Sequence, residues 1–307
     1  MSEQRVLVLG ASGLLGHKVL QVLQRRFQVY GTFRSPAALQ RCASALPGIS
    51  PSHLLDNVDA LDAKSLRRAI DSVRPHVLVN CVGVVKQSDA IRQTLSSIGI
   101  NALLPHQLAQ ICGGARVRLL HFSTDCVFSG RKGMYSEDDT PDPVDLYGRS
   151  KVLGEPDQPG CLTLRTSMIG WELDHHRSLL GWFASQRGRT IKGYRKAIFS
   201  GLAATDLAEL VGDLIADWPE LHGVFHAAAA PISKYELLCR VRDALGWTDV
   251  AIEPDDEVDC DRSLCAERLR TATGWTARDW APMIADLARE WPLYESGVLL
   301  DAKNLGR

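Results

Sequence analysis

The sequence lacks an excess of charge of either sign. It contains 35 lysines and arginines against 36 aspartates and glutamates, for a formal net charge of -1. Duplex nucleic acid and anionic membranes are bound by basic surfaces, so we expect neither as a partner. No apolar run has the length of a membrane-spanning helix. A small anionic ligand remains compatible with this balance, because one pocket can be positive in a neutral protein.

The eight cysteines form no CxxC pair and no regular disulfide framework. Cys260 and Cys265 lack the partners of a zinc site, and we expect no bound metal. Cys81, Cys112 and Cys126 lie in apolar runs and are interpreted as core residues in a reducing compartment. The first residues contain no charged leader followed by a long apolar stretch. The sequence therefore predicts a cytoplasmic protein.

Apolar strands alternate with helical patterns through the first half of the chain. The predicted strands are Val6–Leu9, Gln28–Thr32, His76–Asn80, Arg118–Phe122 and Cys161–Arg165, and the predicted helices are Leu14–Leu23, Leu66–Val73 and Ile91–Ile111. Continuous apolar strands separated by helices are typical of a parallel sheet covered on both faces. We therefore predict an α/β fold, with a Rossmann-type doubly wound parallel sheet in residues 1–165.

The second half has a less regular pattern. Helices are predicted at Ala204–Ile215, Lys234–Leu245, Leu264–Thr273 and Trp280–Trp291, with a strand at Val224–His226. The prolines and acidic residues of Ile252–Asp261 predict a surface connection. We interpret residues 166–307 as mainly a smaller C-terminal α/β lobe that binds substrate, with some segments returning to the main sheet.

A glycine-rich turn, GASGLLG, joins the first strand to the first helix. Such glycines permit a tight turn, a close approach of backbone N–H groups to a pyrophosphate, and close packing of helix on strand. The helix N-terminus also offers unpaired donors to phosphates. Three glycines alone are a weak signal, but their place between strand and helix predicts a dinucleotide site. The predicted cofactor contacts are Gly10, Ser12, Gly13, Leu14, Leu15 and Gly16.

The residues after the second strand favour NADPH over NADH. An NAD site usually places a carboxylate here for the ribose 2′-hydroxyl. This chain has Arg34 beside small hydroxyls, which suits a 2′-phosphate, although a solvated arginine is the alternative and NADH stays open. Asp59 could bond the adenine amine, and Asp62 is interpreted as a helix cap.

Two later segments carry the predicted chemistry. Thr124 and Asp125 stand at the carboxyl end of a strand, the edge that faces the ligand crevice in an open α/β sheet. Tyr147 and Lys151 are four residues apart and share one helix face. An ammonium beside the phenol would lower the tyrosine pKa from about 10 and ease proton transfer. A strand-end hydroxyl would bond a carbonyl oxygen that gains negative charge.

Taken together, these segments resemble one family. GASGLLG, STDCVFSG, YGRSK and the run from Leu164 to Ser167 are similar to the extended short-chain dehydrogenase/reductases, and most similar to the dTDP-4-dehydrorhamnose reductase branch. The resemblance covers the first half of the chain well and the second half in outline. Cys126 stands where that branch usually has an aromatic residue.

The resemblance implies a catalytic trio of Thr124, Tyr147 and Lys151. The implied reaction is NADPH-dependent reduction of the 4-keto group of a nucleotide-linked 4-keto-6-deoxy sugar. Tyr147 would supply the proton, Thr124 would bond the carbonyl oxygen, and Lys151 would hold the nicotinamide ribose and tune Tyr147.

Further residue roles follow from the same resemblance. Cys81, Val82 and Gly83 would lie along the cofactor, and Asn101 would sit in the helix behind the active site. Lys86 lies in a loop that departs from the branch, and is interpreted as either a substrate contact or a surface lysine.

Two further candidates would contact a nucleotide-diphosphate sugar. Asp125 adjoins Thr124, and Arg195 could pair with the diphosphate, although a solvated loop is an equal alternative for Arg195. A nucleotide-sugar epimerase with tightly bound NAD(P) and a catalytically silent NADP-binding regulatory subunit remain alternatives. The retained trio favours the reductase. A homodimer is compatible with the sequence, which shows no interface.

Overall fold

A computed structural model describes residues 4–84, 94–173 and 178–295. Its strands are β1 (Arg5–Leu9), β2 (Gln28–Thr32), β3 (Leu54–Leu55), β4 (Val77–Asn80), β5 (Arg118–Thr124), β6 (Cys161–Thr166), β7 (Met168–Ile169), β8 (Thr190–Tyr194), β9 (Ala197–Phe199), β10 (Leu202–Ala203), β11 (Gly223–His226), β12 (Ile232–Ser233), β13 (Ala251–Asp255) and β14 (Cys260–Asp261). Its helices are α1 (Leu14–Leu23), α2 (Pro36–Ala43), α3 (Ala63–Val73), α4 (Thr94–Ser97), α5 (Leu104–Ala115), α6 (Leu146–Leu153), α7 (Leu179–Ala184), α8 (Ala204–Ala216), α9 (Lys234–Ala244), α10 (Glu267–Thr273) and α11 (Trp280–Glu295). A π-helical turn, Ile98–Leu103, joins α4 to α5.

Seven strands form the main sheet, in the order β3-β2-β1-β4-β5-β6-β11. Every pair in it is parallel. Because β1 lies between β2 and β4, the strand order reverses beside it, and ligands bind at such a switch point in open α/β sheets. The predicted Rossmann-type doubly wound fold is confirmed.

Both faces of this sheet are buried, as a parallel sheet requires. In β1, Val6 and Val8 join one hydrophobic cluster, whereas Leu7 and Leu9 join the cluster on the opposite face. This two-sided burial explains why the central strands β1 and β4 are nearly continuous apolar runs. The sheet therefore forms a rigid support for the loops at its carboxyl edge.

The second half contributes to both the main sheet and three small sheets. Strand β11 extends the main sheet beside β6. The small sheets have the orders β12-β9-β14, β13-β8 and β10-β7. One hydrophobic cluster runs from Val6 in β1 to Tyr294 in α11 and so joins the two halves. The division of the chain at residue 165 stays a prediction.

The surface connection predicted at Ile252–Asp261 is wrong. This stretch contains two strands, β13 paired with β8 and β14 paired with β9. Ile252 is buried, while Ala251 and Glu253 on either side of it are exposed. Pro254 is tolerated because β13 pairs with a single neighbour, so its missing N–H breaks no second ladder.

Two predicted helices differ from the described elements. The described part of Ile91–Ile111 is α4, the π-helical turn and α5 instead of one regular helix. The helix predicted from Leu264 begins only at Glu267, because the preceding residues bond to the loop after β5. There, Tyr135 N donates to the Ser263 carbonyl at 2.9 Å, and Cys265 N donates to the Tyr135 carbonyl at 2.8 Å.

All eight cysteines carry free thiols. Across residues 4–84, 94–173 and 178–295, no helix has both the length and the apolar character needed to span a membrane.

A buried ion pair lies under the carboxyl edge of the sheet. Arg165 Nη2 of β6 is 2.8 Å from Glu155 Oε2, and the two side chains are only 8% and 6% exposed. The Ser123 hydroxyl of β5 donates to the same carboxylate. Glu155 thus links β5 and β6 just after α6 ends.

Replacing Arg165 with methionine should destabilise the protein by about 3–5 kcal/mol, because the Glu155 carboxylate would stay buried without its cation. Urea unfolding followed by circular dichroism measures the change. The matched control is Arg240→Met, which breaks an ion pair with Glu236 whose side chains are 47% and 49% exposed. The control substitution should lower the free energy of unfolding by less than about 1 kcal/mol. Equal effects of the two substitutions would contradict this account.

Candidate active site

The glycine turn between β1 and α1 is a backbone cradle. Gly10 has φ +78°, and a Cβ there would lie 2.9 Å from Val82 Cγ2. A Cβ on Gly16 would overlap the Gly10 carbonyl oxygen, so α1 packs directly on the turn. Gly13 is the N-cap of α1, and the N–H groups of the first helical turn have no partner inside the helix.

A cavity of about 460 Å³ opens at this turn. It brings together eight of the predicted cofactor residues from four loops: Gly10, Ser12, Gly13, Arg34, Asp59, Cys81, Val82 and Gly83. The other predicted cofactor residues, Leu14, Leu15, Gly16 and Lys151, do not line it. The Leu15 side chain belongs to the core and Gly16 has no side chain, so these two residues have only backbone N–H groups to offer a ligand.

Two charged side chains stand at the rim of this cavity. Arg34 follows β2 and is exposed. Asp59 is also exposed, and its Oδ1 accepts a hydrogen bond from Leu61 N at 3.0 Å. The predicted cap at Asp62 is confirmed, because Oδ1 accepts from Lys64 N at 2.9 Å at the start of α3.

The end of β5 presents a hydroxyl and a carboxylate close to Tyr147. The Thr124 hydroxyl lies 3.1 Å from Asp125 Oδ1 and accepts from Cys126 N at 3.2 Å. It also lies close enough to Tyr147 to lower the pKa of the phenol. Thr124 and Asp125 are buried, whereas Tyr147 is half-buried. The predicted hydroxyl and phenol therefore meet at this edge.

Helix α6 reaches this position through two glycines that the sequence reasoning did not single out. A Cβ on Gly148 would overlap the Cys126 carbonyl oxygen, and one on Gly154 would overlap the Asn101 carbonyl oxygen. Asp145 caps the helix by accepting from Gly148 N at 2.8 Å. Gly148 lies inside the YGRSK motif, and no local pattern distinguishes a packing glycine there.

The Lys151 side chain of α6 is buried against β5. Its Nζ donates to the Phe122 carbonyl at 2.6 Å and lies 3.5 Å from His121 Nε2. His121 in turn contacts Asn80 on the neighbouring strand at 3.1 Å. Burial lowers the Lys151 pKa to about 8, and the Glu155 carboxylate opposes that change. Burial also holds the pKa of His121 well below its usual value, so this ring is neutral at pH 7.

The expected lowering of the Tyr147 pKa is wrong for the site as it stands. Burial raises the pKa of this phenol, and the nearby Cys126 thiol raises it further, while the Thr124 hydroxyl partly offsets the rise. The Lys151 ammonium points to the Phe122 carbonyl instead of the phenol oxygen. The loss of solvation therefore has a larger effect on the pKa of Tyr147 than the presence of Lys151 on the same helix face, on which the prediction relied.

Asn101 lies in the π-helical turn and connects the cofactor loop to α6. Its Oδ1 accepts from Val84 N at 2.9 Å, and its Nδ2 donates to the Val84 carbonyl at 2.9 Å. The same Nδ2 donates to Ser150 Oγ at 3.2 Å. This position of Asn101 agrees with the expectation that it lies behind the predicted active site.

The remaining predicted substrate residues have different outcomes. Lys86 lies outside the described residues. Arg195 lies just after β8, and its exposed guanidinium forms an ion pair with Asp256. Two cations near Asp125 and Cys126 were missed, namely Lys234 and Arg262. They are far from the motifs in sequence, and neither belongs to a short pattern that would have identified it.

Comparison with known proteins gives one family. The model of the family described as "RmlD substrate binding domain" matches residues 4–268. The chain is 29% identical over 268 residues to methionine adenosyltransferase 2 subunit beta of Danio rerio, with 83% of this chain and 78% of that protein covered. It is 28% identical over 276 residues to the Haloferax volcanii protein named "Probable low-salt glycan biosynthesis reductase Agl14", with 85% of this chain and 87% of that protein covered.

A solved structure supports the same fold. The dTDP-4-dehydrorhamnose reductase of Bacillus anthracis in complex with NADP aligns with a TM-score of 0.76 at 19% identity, covering 94% of this chain and 100% of that one. The match to the family model spans most of the sequence and includes the glycine turn, the end of β5 and α6. The chain belongs to the RmlD substrate-binding domain family, as its resemblance to the dTDP-4-dehydrorhamnose reductase branch predicted.

Proposed function

We propose that this protein is an NADPH-dependent reductase that acts on the 4-keto group of a nucleotide-linked 4-keto-6-deoxy sugar. The observation that carries the proposal is the packing of α6, which bears Tyr147 and Lys151, on the end of β5 at Thr124: Gly148 meets the Cys126 carbonyl, and Lys151 Nζ donates to the Phe122 carbonyl at 2.6 Å. On the same edge, Cys81, Val82 and Gly83 follow the neighbouring strand β4 and line the cavity at the glycine turn. Its relatives include proteins named as reductases.

The cavity suits a dinucleotide in size and in chemistry. Ligand sites commonly enclose 300–1,000 Å³, and this cavity has about 460 Å³. Gly10 leaves space that any side chain would fill. Unpaired N–H groups at the start of α1 suit a pyrophosphate. When bound, NADPH supplies the reducing equivalent for the ketone.

The chain's own residues supply binding and proton transfer in this proposal. Tyr147 keeps its proton at neutral pH, because burial raises its pKa, and donates that proton to the substrate oxygen. The Thr124 hydroxyl bonds the same oxygen and stabilises its developing negative charge. Lys151, one helical turn after Tyr147 on α6, holds the nicotinamide ribose. The largely buried strand end limits the access of water to Thr124.

A second candidate function is a subunit that binds another enzyme. The observation that favours it is the 29% identity to the protein named methionine adenosyltransferase 2 subunit beta. The Thr124–Tyr147 pair argues for chemistry in the present chain, since a purely structural role needs no such hydroxyls. Reduction consumes NADPH, whereas epimerisation on the same scaffold causes no net loss of the cofactor, so cofactor consumption distinguishes the two reactions.

Tyr147→Phe should reduce the rate of NADPH oxidation by about 10²–10⁴-fold, because the general acid is removed. The assay mixes purified protein, NADPH and a panel of nucleotide-linked 4-keto-6-deoxy sugars, and follows the loss of reduced-nicotinamide absorbance. Tyr30→Phe in β2 is the control, since Tyr30 contacts His53 away from the site. A sugar altered without net NADPH loss would favour the epimerase. Tight NADPH binding with no turnover on any sugar would favour the subunit.

Arg34→Gln should weaken NADPH binding about tenfold or more while leaving NADH binding nearly unchanged, because only NADPH carries a 2′-phosphate for the guanidinium. Fluorescence titration of both cofactors measures the two constants. Arg25→Gln is the control, since Arg25 is exposed and pairs with Glu209 at 3.5 Å. Equal weakening of both cofactors, or of neither, would contradict the proposed preference for NADPH.

Lys151 should titrate with a midpoint near pH 8, well below an ordinary lysine. Burial disfavours its charged form, and Glu155 favours that form, so Glu155→Gln should move the midpoint lower still. Carbon NMR of labelled lysine measures the titration, with Lys151→Met assigning the signal and circular dichroism confirming the fold of each variant. The exposed Lys192, whose carboxylate partners raise its pKa, is the internal reference. A Lys151 midpoint near that of free lysine would contradict the predicted lowering of its pKa.

A further inference from the structure

Two cations flank the end of β5 on the side of the C-terminal lobe. Lys234 directly follows β12, and its Nζ lies 4.0 Å from the centroid of the Phe199 ring in β9. Arg262 directly follows β14, with Nε donating to the Phe128 carbonyl at 2.9 Å and Nη1 lying 3.7 Å from Cys126 Sγ. Ser233 and Asp261, which precede the two cations, both register with Ile198 of β9, so the small sheet β12-β9-β14 holds Lys234 and Arg262 near one another.

These two cations differ from Lys18 and Arg165, two other inward-facing cations that have carboxylate partners. Lys18 pairs with Glu290 at 2.9 Å, and Arg165 pairs with Glu155 at 2.8 Å. Within the described ranges, neither Lys234 nor Arg262 has a carboxylate inside ion-pair distance. Asp125 acts on both cations only from farther away. A desolvated cation without a close anion is costly in a folded protein unless a ligand supplies the partner.

The surroundings of the two cations show that a ligand could reach them. Lys234, Arg262 and Tyr147 are each half-buried, so each keeps part of its surface open. Burial lowers the pKa of Lys234, while Asp125 and the thiols of Cys126 and Cys260 oppose that effect. Asp145, at the start of α6, also acts on Arg262. Cys126 Sγ lies 3.7 Å from Arg262 Nη1, and the Cys126 carbonyl packs against Gly148, the residue after Tyr147.

We propose that Lys234 and Arg262 form a binding site for an anionic group of the substrate beside Tyr147, and that this site selects the substrate. The inference rests on the proposed reductase function and narrows its substrate class. The shared chemistry is a group of anionic oxygens that both cations hold through charge-assisted hydrogen bonds. The diphosphate of the nucleotide and a carboxylate on the sugar are its two sources.

Isothermal titration of the NADP-loaded protein tests the site. The probes are UDP, dTDP, GDP and CDP, together with UDP-glucose and UDP-glucuronate. Lys234→Met and Arg262→Met should each weaken the binding of anionic probes about tenfold or more. Lys234→Arg should keep most of the affinity. Lys192→Met is the control, because Lys192 is exposed and already pairs with Asp255 and Glu257 at 2.9 Å.

The pattern of losses identifies the source of the anion. Equal weakening for a nucleoside diphosphate and for both sugars supports the diphosphate. Weakening confined to UDP-glucuronate supports a sugar carboxylate. Unchanged affinities in both methionine variants would overturn the proposal, and so would the failure of every probe to bind the wild-type protein.

Failure of this proposal is distinguishable from failure of the reductase function. The reductase function is tested by NADPH oxidation in the wild type and in Tyr147→Phe, and both proteins keep Lys234 and Arg262. If NADPH is oxidised with the same KM for the sugar in the wild type and in both methionine variants, the reductase function is supported and the anion site is contradicted. If the probes bind through the two cations but no sugar is reduced, the anion site is supported and the reductase function is contradicted.

Discussion

The close approach of α6 to the end of β5 is the constraint on which the proposed site depends. It is possible only because Gly148 meets the Cys126 carbonyl without a side chain, and Gly154 does the same at Asn101. A helix placed farther out would separate the Tyr147 phenol from the Thr124 hydroxyl. It would also draw Lys151 away from the Phe122 carbonyl, its partner at 2.6 Å. The close packing of the backbone therefore fixes where the polar and charged groups of this site lie.

Burial then sets the protonation of the two groups on α6. The same loss of solvation raises the pKa of Tyr147 and lowers that of Lys151, because it disfavours whichever form is charged. Glu155 counters this effect at Lys151, although it is itself held by Arg165. The ion pair under the sheet thus connects the stability of the fold to the charge of a residue in the site.

Much of this arrangement could be predicted from local sequence. The strands of the main sheet are continuous apolar runs, and the glycine turn has its chemistry in seven consecutive residues, from Gly10 to Gly16. The short strands of the second half could not be predicted in the same way. β9, β12 and β14 have only two or three residues each, and their pairing joins segments far apart in the chain. The sign of the Tyr147 pKa shift depends on burial, which helix spacing does not show.

The charges of this molecule can be sorted by whether the fold supplies their partners. Glu155 and Arg165 satisfy each other and lie almost fully covered, so the fold alone accounts for them. Lys234 and Arg262 are delivered by a separate small sheet to the same edge, without a close carboxylate among the described residues. Maintaining such charges costs folding free energy. Since the fold gains no ion pair from them, the proposed anionic ligand would supply the carboxylate or phosphate partner that these two cations lack.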